Sequence, residues 1–357
     1  MLTVALIFGG KSPEHDVSIN SARNIYGAID KTRFQLCLIG VGKGGRWFKL
    51  AEDAFLSQDL RIEDGEPLAV IPGAERGQII RLEELSAIEQ LDVVFPIIHG
   101  PYGEDGSLQG MLKQLNLPFV GPDVLGSAVS MDKDVSKRLL READLKVAEA
   151  MTFYYFEKEA IDYTAVVNQL GLPLFVKPAN MGSSVGVKKA DTLPELKEAM
   201  ATAFLYDHKI IVEEGLKGRE IECAVMGNAL IETTGVGEVV MDDGFYDYDA
   251  KYESEEAAKV QIPAKDIDAQ MLAKLMLVAK NAYRVLGCEG MTRVDMFLDP
   301  EGNVYVNEVN TLPGFTDISM YPKLWVENGV PYAELISLLI DLAVERGDRE
   351  AALEKNR

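Results

Sequence analysis

The chain has 357 residues, 47% of them apolar, which suits two or three globular domains with sizeable cores. A formal net charge of −21 argues against non-specific binding to nucleic acid or an anionic membrane, although a local basic pocket can still hold an anion. The three cysteines form no CxxC pair and give neither a disulfide framework nor a zinc site.

Residues 2–8 read as a strand that starts the chain without the pattern of a signal peptide. No run approaches the roughly 18 apolar residues of a membrane span, so a cytoplasmic protein is expected. Residues 16–29 have helical spacing; 34–41 and 93–98 read as strands, 107–115 as a helix and 119–121 as a short strand. This βαβ rhythm predicts an open parallel sheet with ligands beyond the carboxyl ends of its strands. Two polar loops lie there: Gly9-Gly-Lys-Ser-Pro-Glu14-His15 and His99-Gly-Pro-Tyr-Gly-Glu-Asp105. Two phosphate-loop matches fail. Gly40-Val-Gly-Lys-Gly-Gly45 is followed by a strand-like run rather than a helix and reads as a hairpin turn. Gly10-Lys11-Ser12 would need its first loop glycine at Ala5, inside the strand.

Residues 131–141 predict a helix, acidic early and basic late. Strands at 151–156, 174–177, 185–188 and 210–214 then surround helices at 157–170 and 193–204. Lys177 ends one strand, and Gly182-Ser183-Ser184 leads to the next. Exposed N–H groups and hydroxyls in such a loop can wrap phosphate oxygens, with the lysine as a point charge; an ordinary hairpin turn fits the same residues. Glu213 and Glu214 end a strand where they can accept from an adenine amino group, with Glu220 in reach of ribose; a solvent-facing charge pair is the plain alternative.

Strands at 221–225 and 230–238 precede a polar, aromatic stretch at 241–256 that reads as a mobile lid. After a helix at 266–286 come apolar runs at 293–298 and 304–310, joined by Asp299-Pro-Glu-Gly-Asn303. They predict a β-hairpin. Pairing Asp299 with Val304 puts Asp295 opposite Glu308 and Arg293 opposite Asn310, all on one face with Cβ atoms about 5 Å apart. Two carboxylates and an amide oxygen there suit a hard cation such as Mg²⁺; a solvated hairpin with a polar end is the plain alternative. An irregular loop follows, 310–320, in which the Gly314 N–H and Arg293 can stabilise an oxyanion; a plain connecting loop fits the same residues. A helix at 331–346 ends the pattern.

Together, Gly9–Ser18, His99–Gly106, Met131-Asp-Lys133, Lys177–Gly186, Ala250-Lys-Tyr252, Arg293-Val-Asp295 and Asn307–Gly314 resemble the D-alanine–D-alanine ligases of the ATP-grasp superfamily, over essentially the whole chain. The resemblance implies an α/β (α+β) ATP-grasp fold with an N-terminal Rossmann-like parallel-sheet domain. The expected units are 1–127, a Rossmann-like substrate domain; 128–215, the central ATP-grasp domain; and 216–357, the C-terminal ATP-grasp domain with metal site and lid.

The resemblance also implies ATP-dependent joining of two D-alanines through a D-alanyl phosphate, for peptidoglycan precursors, in a cytoplasmic homodimer that binds small molecules only. Lys133, Lys177, Ser183 and Ser184 then match the phosphate grip. Phe175, Phe297, Glu213, Glu214, Leu216 and Glu220 match the adenine and ribose contacts. Asp295, Glu308 and Asn310, beside Asn307, match the ligands of two Mg²⁺ or Mn²⁺ ions. Glu14 and His99 match the first-substrate site, and Arg293 and Gly314 the oxyanion site. Ser319 and Met320, with Lys251, match the hold on the second carboxylate; Ser183 and Tyr252 link Glu14 to the lid. Met320 and Tyr252 favour D-alanine over D-serine or D-lactate as second substrate. A nucleotide-binding module without catalysis is the alternative of a different class.

Overall fold

A computed structural model describes residues 1–73, 78–241 and 258–353. The first unit is a seven-stranded sheet of β1 (Leu2–Gly9), β2 (Phe34–Val41), β3 (Trp47–Leu50), β4 (Glu66–Ile71), β5 (Gln78–Arg81), β6 (Ser86–Ala87) and β7 (Val93–Pro96), in the order β6-β5-β4-β3-β2-β1-β7. Only β2-β1-β7 is parallel; β3 to β6 extend the sheet antiparallel. The expected open parallel sheet is therefore correct only at one edge, where β2, β1 and β7 lie side by side. A parallel partner needs a crossover of a dozen or more residues. After β2 the chain instead reverses within Gly42–Gly45, with Gly45 at φ +83°. The strand expected at 119–121 is a single bridge between Phe119 and Val94.

The helix expected at 131–141 is Lys133–Glu142, and a separate helix with no counterpart in the expectation, Val124–Met131, precedes it. Asp132 separates them: its carboxylate accepts from the N–H groups of Asp134 and Val135 and starts the second helix afresh. The expected boundary at 127/128 falls inside the first of these helices.

The second sheet, β8 (Ala150–Tyr154), β9 (Leu174–Pro178), β10 (Lys188–Ala190) and β11 (Lys209–Glu214), is antiparallel in the order β10-β9-β11-β8. The helix expected at 157–170 splits into a 3₁₀ turn, Tyr155–Ala160, and a helix, Tyr163–Leu170, because Asp162 caps the second piece. The strand expected at 185–188 begins only at Lys188, so the loop after Lys177 is longer than expected. Ser183 and Ser184 in it both have positive φ.

The third sheet, β12 (Arg219–Gly227), β13 (Ile231–Met241), β14 (Ala258–Gln261), β15 (Gly290–Leu298) and β16 (Val304–Asn310), runs β14-β13-β12-β15-β16. Helix Ala269–Val285 covers one face, with Leu275, Ala279 and Tyr283 packed on Val294, Met296 and Val306. A helix at Met320–Glu327, absent from the sequence expectation, follows the irregular loop. The last helix, Tyr332–Ala351, returns to the first sheet. Its Leu335, Leu339 and Ala343 share a core with Phe8, Val93 and Phe95, and Arg346 donates to the carbonyls of Phe119 and Gly121. The third unit thus supplies part of the first unit's core. Lys251, Tyr252 and nearly all of the expected lid lie outside the described residues.

Candidate active site

The hairpin that carries the acidic cluster forms with Asp295 opposite Glu308 and Arg293 opposite Asn310. The expected pairing near the turn is wrong by one: Leu298, not Asp299, faces Val304. A β-bulge restores the expected register, because Met296 faces Val306 and Asp295 faces Glu308, leaving Asn307 as the extra residue. Asn307 and Glu308 in consequence both line the same cavity, where strict alternation would turn one of them away.

That cavity, about 370 Å³, lies between the second and third sheets and is lined by residues of both, within the range of small-molecule sites. Lys133, Phe175, Lys177, Ser184, Glu213, Glu214, Leu216, Glu220, Phe297, Asn307 and Glu308, all expected as nucleotide contacts, line it. Lys133 donates to the Met181 carbonyl at 2.7 Å and stands 3.4 Å from Glu308. Lys177 donates to Asn307 at 3.2 Å.

Glu213 is not the solvent-facing charge of the plain alternative: its oxygens lie 3.0 Å from Lys137 and 2.8 Å from Lys177, and it is buried at the cavity wall. Burial opposes its charge, but the two lysines outweigh that and hold its pKa down at about 2. Lys177 suffers the same burial, yet Glu213 keeps its pKa above the ordinary value; Lys137, fully enclosed, is pushed down. Lys137 escaped the sequence reading. The available signal was its i,i+4 spacing from Lys133 on one helix face.

A second cavity, about 150 Å³, adjoins the first and holds Glu14, His99, Ser183, Arg293, Asn310, Gly314, Ser319 and Met320. Gly182 and Glu308 line both cavities. Ser183 donates to Glu14, so the glycine-serine loop of the central unit reaches the first polar loop. A Cβ on Gly182 would stand 3.1 Å from Glu14, which explains a glycine at this crossing. His99 is buried, bonded to the Leu312 carbonyl at 2.9 Å and to Ser21 at 3.2 Å, and desolvation lowers its pKa. A Cβ on Gly314 would meet Ser319 Oγ at 2.7 Å. The Ser319 hydroxyl accepts from the Thr316 N–H at 2.9 Å.

Arg293 and Asp295 are bound to each other. The guanidinium donates to both carboxylate oxygens at 2.7 Å, Asn310 adds an N–H at 2.9 Å, and Asp295 is 2% exposed. Among the described residues, no group of three or more His, Cys, Asp or Glu side chains is arranged to hold a metal. The set of Asp295, Glu308 and the Asn310 amide oxygen is nonetheless all-oxygen donor chemistry. It fits a hard cation if Asp295 exchanges its arginine for the ion. Two further acids were not picked out as site residues. Glu222 lies two residues beyond Glu220, on the same strand face and opposite Asp295. Glu104, in the second polar loop, accepts from the N–H groups of Gly100 and Leu312. Burial and the nearby Glu14 raise its pKa to about 7.

Models of the N-terminal and C-terminal parts of D-Ala-D-Ala ligases match residues 3–122 and 139–341. The chain is 54% identical to the D-alanine–D-alanine ligase of Shouchella clausii over 99% of its own length and 97% of that protein. It is 51% identical to D-alanine–D-alanine ligase A of Escherichia coli K12, over 99% and 98%. Among solved structures, the D-alanine–D-alanine ligase of Coxiella burnetii superposes with a TM-score of 0.86 at 34% identity, over 98% and 97% of the two chains. The VanG D-Ala:D-Ser ligase of Enterococcus faecalis does so with 0.85 at 35%, over 96% and 99%. With both family models matched in order and relatives aligned end to end, the chain belongs to the D-alanine–D-alanine ligase family and has its ATP-grasp fold.

Proposed function

We propose that this chain joins two D-alanine molecules at the expense of ATP, through a D-alanyl phosphate. The observation that carries this reading is the pair of adjoining cavities that share Gly182 and Glu308, one lined by lysines and phenylalanines, the other by Glu14, Arg293 and Ser319. ATP lies in the larger cavity, its base between Phe175 and Phe297 and its phosphates against Lys133, Lys177 and the Ser183-Ser184 loop. Asp295, Glu308 and Asn310 are the residues that would hold Mg²⁺ or Mn²⁺, which when bound neutralises phosphate charge and orients the γ-phosphate.

Glu14 binds the ammonium of the first D-alanine, fixing its carboxylate near the shared wall of the cavities. A carboxylate oxygen attacks the γ-phosphorus and ADP leaves, which turns a poor leaving group into a good one. The amine of the second D-alanine, having lost a proton, then attacks the acyl carbon. Arg293 and the Gly314 N–H stabilise the tetrahedral oxyanion, and phosphate departs with the electrons of the broken C–O bond. Ser319 and Met320, with Lys251, hold the second carboxylate. The family likeness assigns Tyr252 the exclusion of water, which would otherwise hydrolyse the acyl phosphate.

The homodimer and the cytoplasmic location rest on the family likeness alone; among the described residues no helix is long and apolar enough to cross a membrane. D-Alanine labelled with ¹⁸O in its carboxylate tests the route. One labelled oxygen per turnover should appear in inorganic phosphate; unlabelled phosphate alongside dipeptide would refute the acyl phosphate.

A further inference from the structure

Arg293 has two carboxylate partners, not one. Its Nε–H donates to Asp295 Oδ1, and Glu222 Oε2 stands 2.9 Å from the same nitrogen. Glu222 is buried, with its side chain 8% exposed, and lines the smaller cavity beside Arg293, Gly314 and Ser319. The register explains the placement. β12 and β15 pair Glu222 with Asp295, and β15 and β16 pair Asp295 with Glu308, so three acids form one row across three strands. On the other flank of Glu222 the sheet offers Gly237, where a Cβ would collide with the Met320 sulfur at 2.5 Å. Glu222 therefore stands between the cation-facing acids and the end of the cavity that holds Met320.

Two demands on Arg293 conflict unless it has a second anchor. Burial opposes its charge, and Asp295 and Glu222 together outweigh that opposition. When Asp295 serves a cation, the guanidinium loses a bidentate partner in a site where an uncompensated charge is costly. With Glu222 in place it retains a counter-charge and keeps its remaining N–H groups directed into the cavity. Without Glu222, the guanidinium would compete with the cation for Asp295.

We propose that Glu222 is the positioning residue of Arg293, the fixed anchor from which the guanidinium reaches the reacting carbonyl oxygen while Asp295 is exchanged to the cation. This rests on the role given to Arg293 above. The test is calorimetric binding to the full-length protein with ADP and Mg²⁺, and it needs no turnover. One ligand is a phosphinate isostere of the dipeptide, whose tetrahedral P–O⁻ sits where the oxyanion forms; the other is D-alanyl-D-alanine, which lacks that charge. Glu222→Gln should weaken the phosphinate about tenfold or more and the dipeptide about twofold or less. The same substitution in an Arg293→Gln background should add nothing. Equal weakening of both ligands, or of neither, overturns the proposal, as does an undiminished effect in the double variant. If Arg293→Gln alone leaves phosphinate binding unchanged, the oxyanion role of Arg293 falls, and the anchor with it. If Arg293→Gln weakens the phosphinate and Glu222→Gln does not, the anchor alone falls.

Discussion

Replacing Glu213 by glutamine should be among the most destabilising single changes on the nucleotide face. The carboxylate is 3% exposed and bridges Lys137 and Lys177 at 3.0 and 2.8 Å. Its pKa falls from 4.5 to about 2, which at about 1.4 kcal/mol per unit corresponds to roughly 3 kcal/mol. Losing one member of a buried ionic group costs about 3–5 kcal/mol, because the remaining charges are left without compensation. The two routes agree. Since the folded pKa is depressed, this stabilisation is fully present above the unfolded value of 4.5 and is lost as pH falls towards 2. Urea unfolding of wild type and Glu213→Gln should thus differ by about 3 kcal/mol, constant from pH 5 to 8. Adding Lys137→Met should restore part of the loss, since Lys177 alone, at the cavity wall, is partly hydrated. A difference below about 1 kcal/mol, or no recovery in the double variant, would refute the account of a lysine pair held by one acid.

Glu308→Gln removes the carboxylate shared by the two cavities and should cut ATP turnover at least about 100-fold, as read by ADP release; near-normal turnover would remove the metal-site claim. Gly314→Ala places a Cβ 2.7 Å from Ser319 Oγ, so the KM for the second D-alanine should rise about tenfold while stability changes by under about 1 kcal/mol; an unchanged KM would separate Ser319 from that substrate. The Glu104 carboxyl, raised to about 7 by burial and Glu14, keeps its proton in the folded state over a range where the unfolded chain has lost it. That contribution is fully present below about pH 4.5 and is lost as pH rises to about 7. Glu104→Gln should flatten this slope in denaturant titrations, and an unaltered slope would assign it to other groups.

The hairpin shows how far the sequence carried. Alternation and the Asp-Pro-Glu-Gly-Asn turn placed all four polar residues in their observed partnerships, yet through two compensating departures. The strands close one residue earlier than expected, and the bulge at Asn307 returns the register. Period-two reasoning has no term for a bulge, so it missed why Asn307 and Glu308 face one cavity. Strand and helix positions were legible wherever apolar spacing was strong, as at 34–41 and 193–204. The break at Asp162 was not, because a capping carboxylate inside a helical pattern looks like an ordinary surface acid.

The third unit's last helix packs on the first sheet, a long-range contact that no local pattern encodes. Lys137 and Glu222 were missed for another reason. Each matters through a partner on a different strand or helix: Glu213 for Lys137, Arg293 for Glu222. A single sequence supplies spacing along elements but not which elements meet. The family likeness supplied Glu14, Ser183 and Ser319 as one site, and the structure lines one cavity with them.

The central claim is tested most directly by incubating the protein with ATP, Mg²⁺ and D-alanine and weighing the product, with L-alanine, D-serine and D-lactate supplied in parallel. The expected products are D-alanyl-D-alanine, one ADP and one phosphate per dipeptide, with little product from the mixed pairs. A mixed product in preference to the D-alanine dipeptide would contradict the substrate assignment at Met320, and ATP hydrolysis without any ligated product would contradict the ligase reading itself.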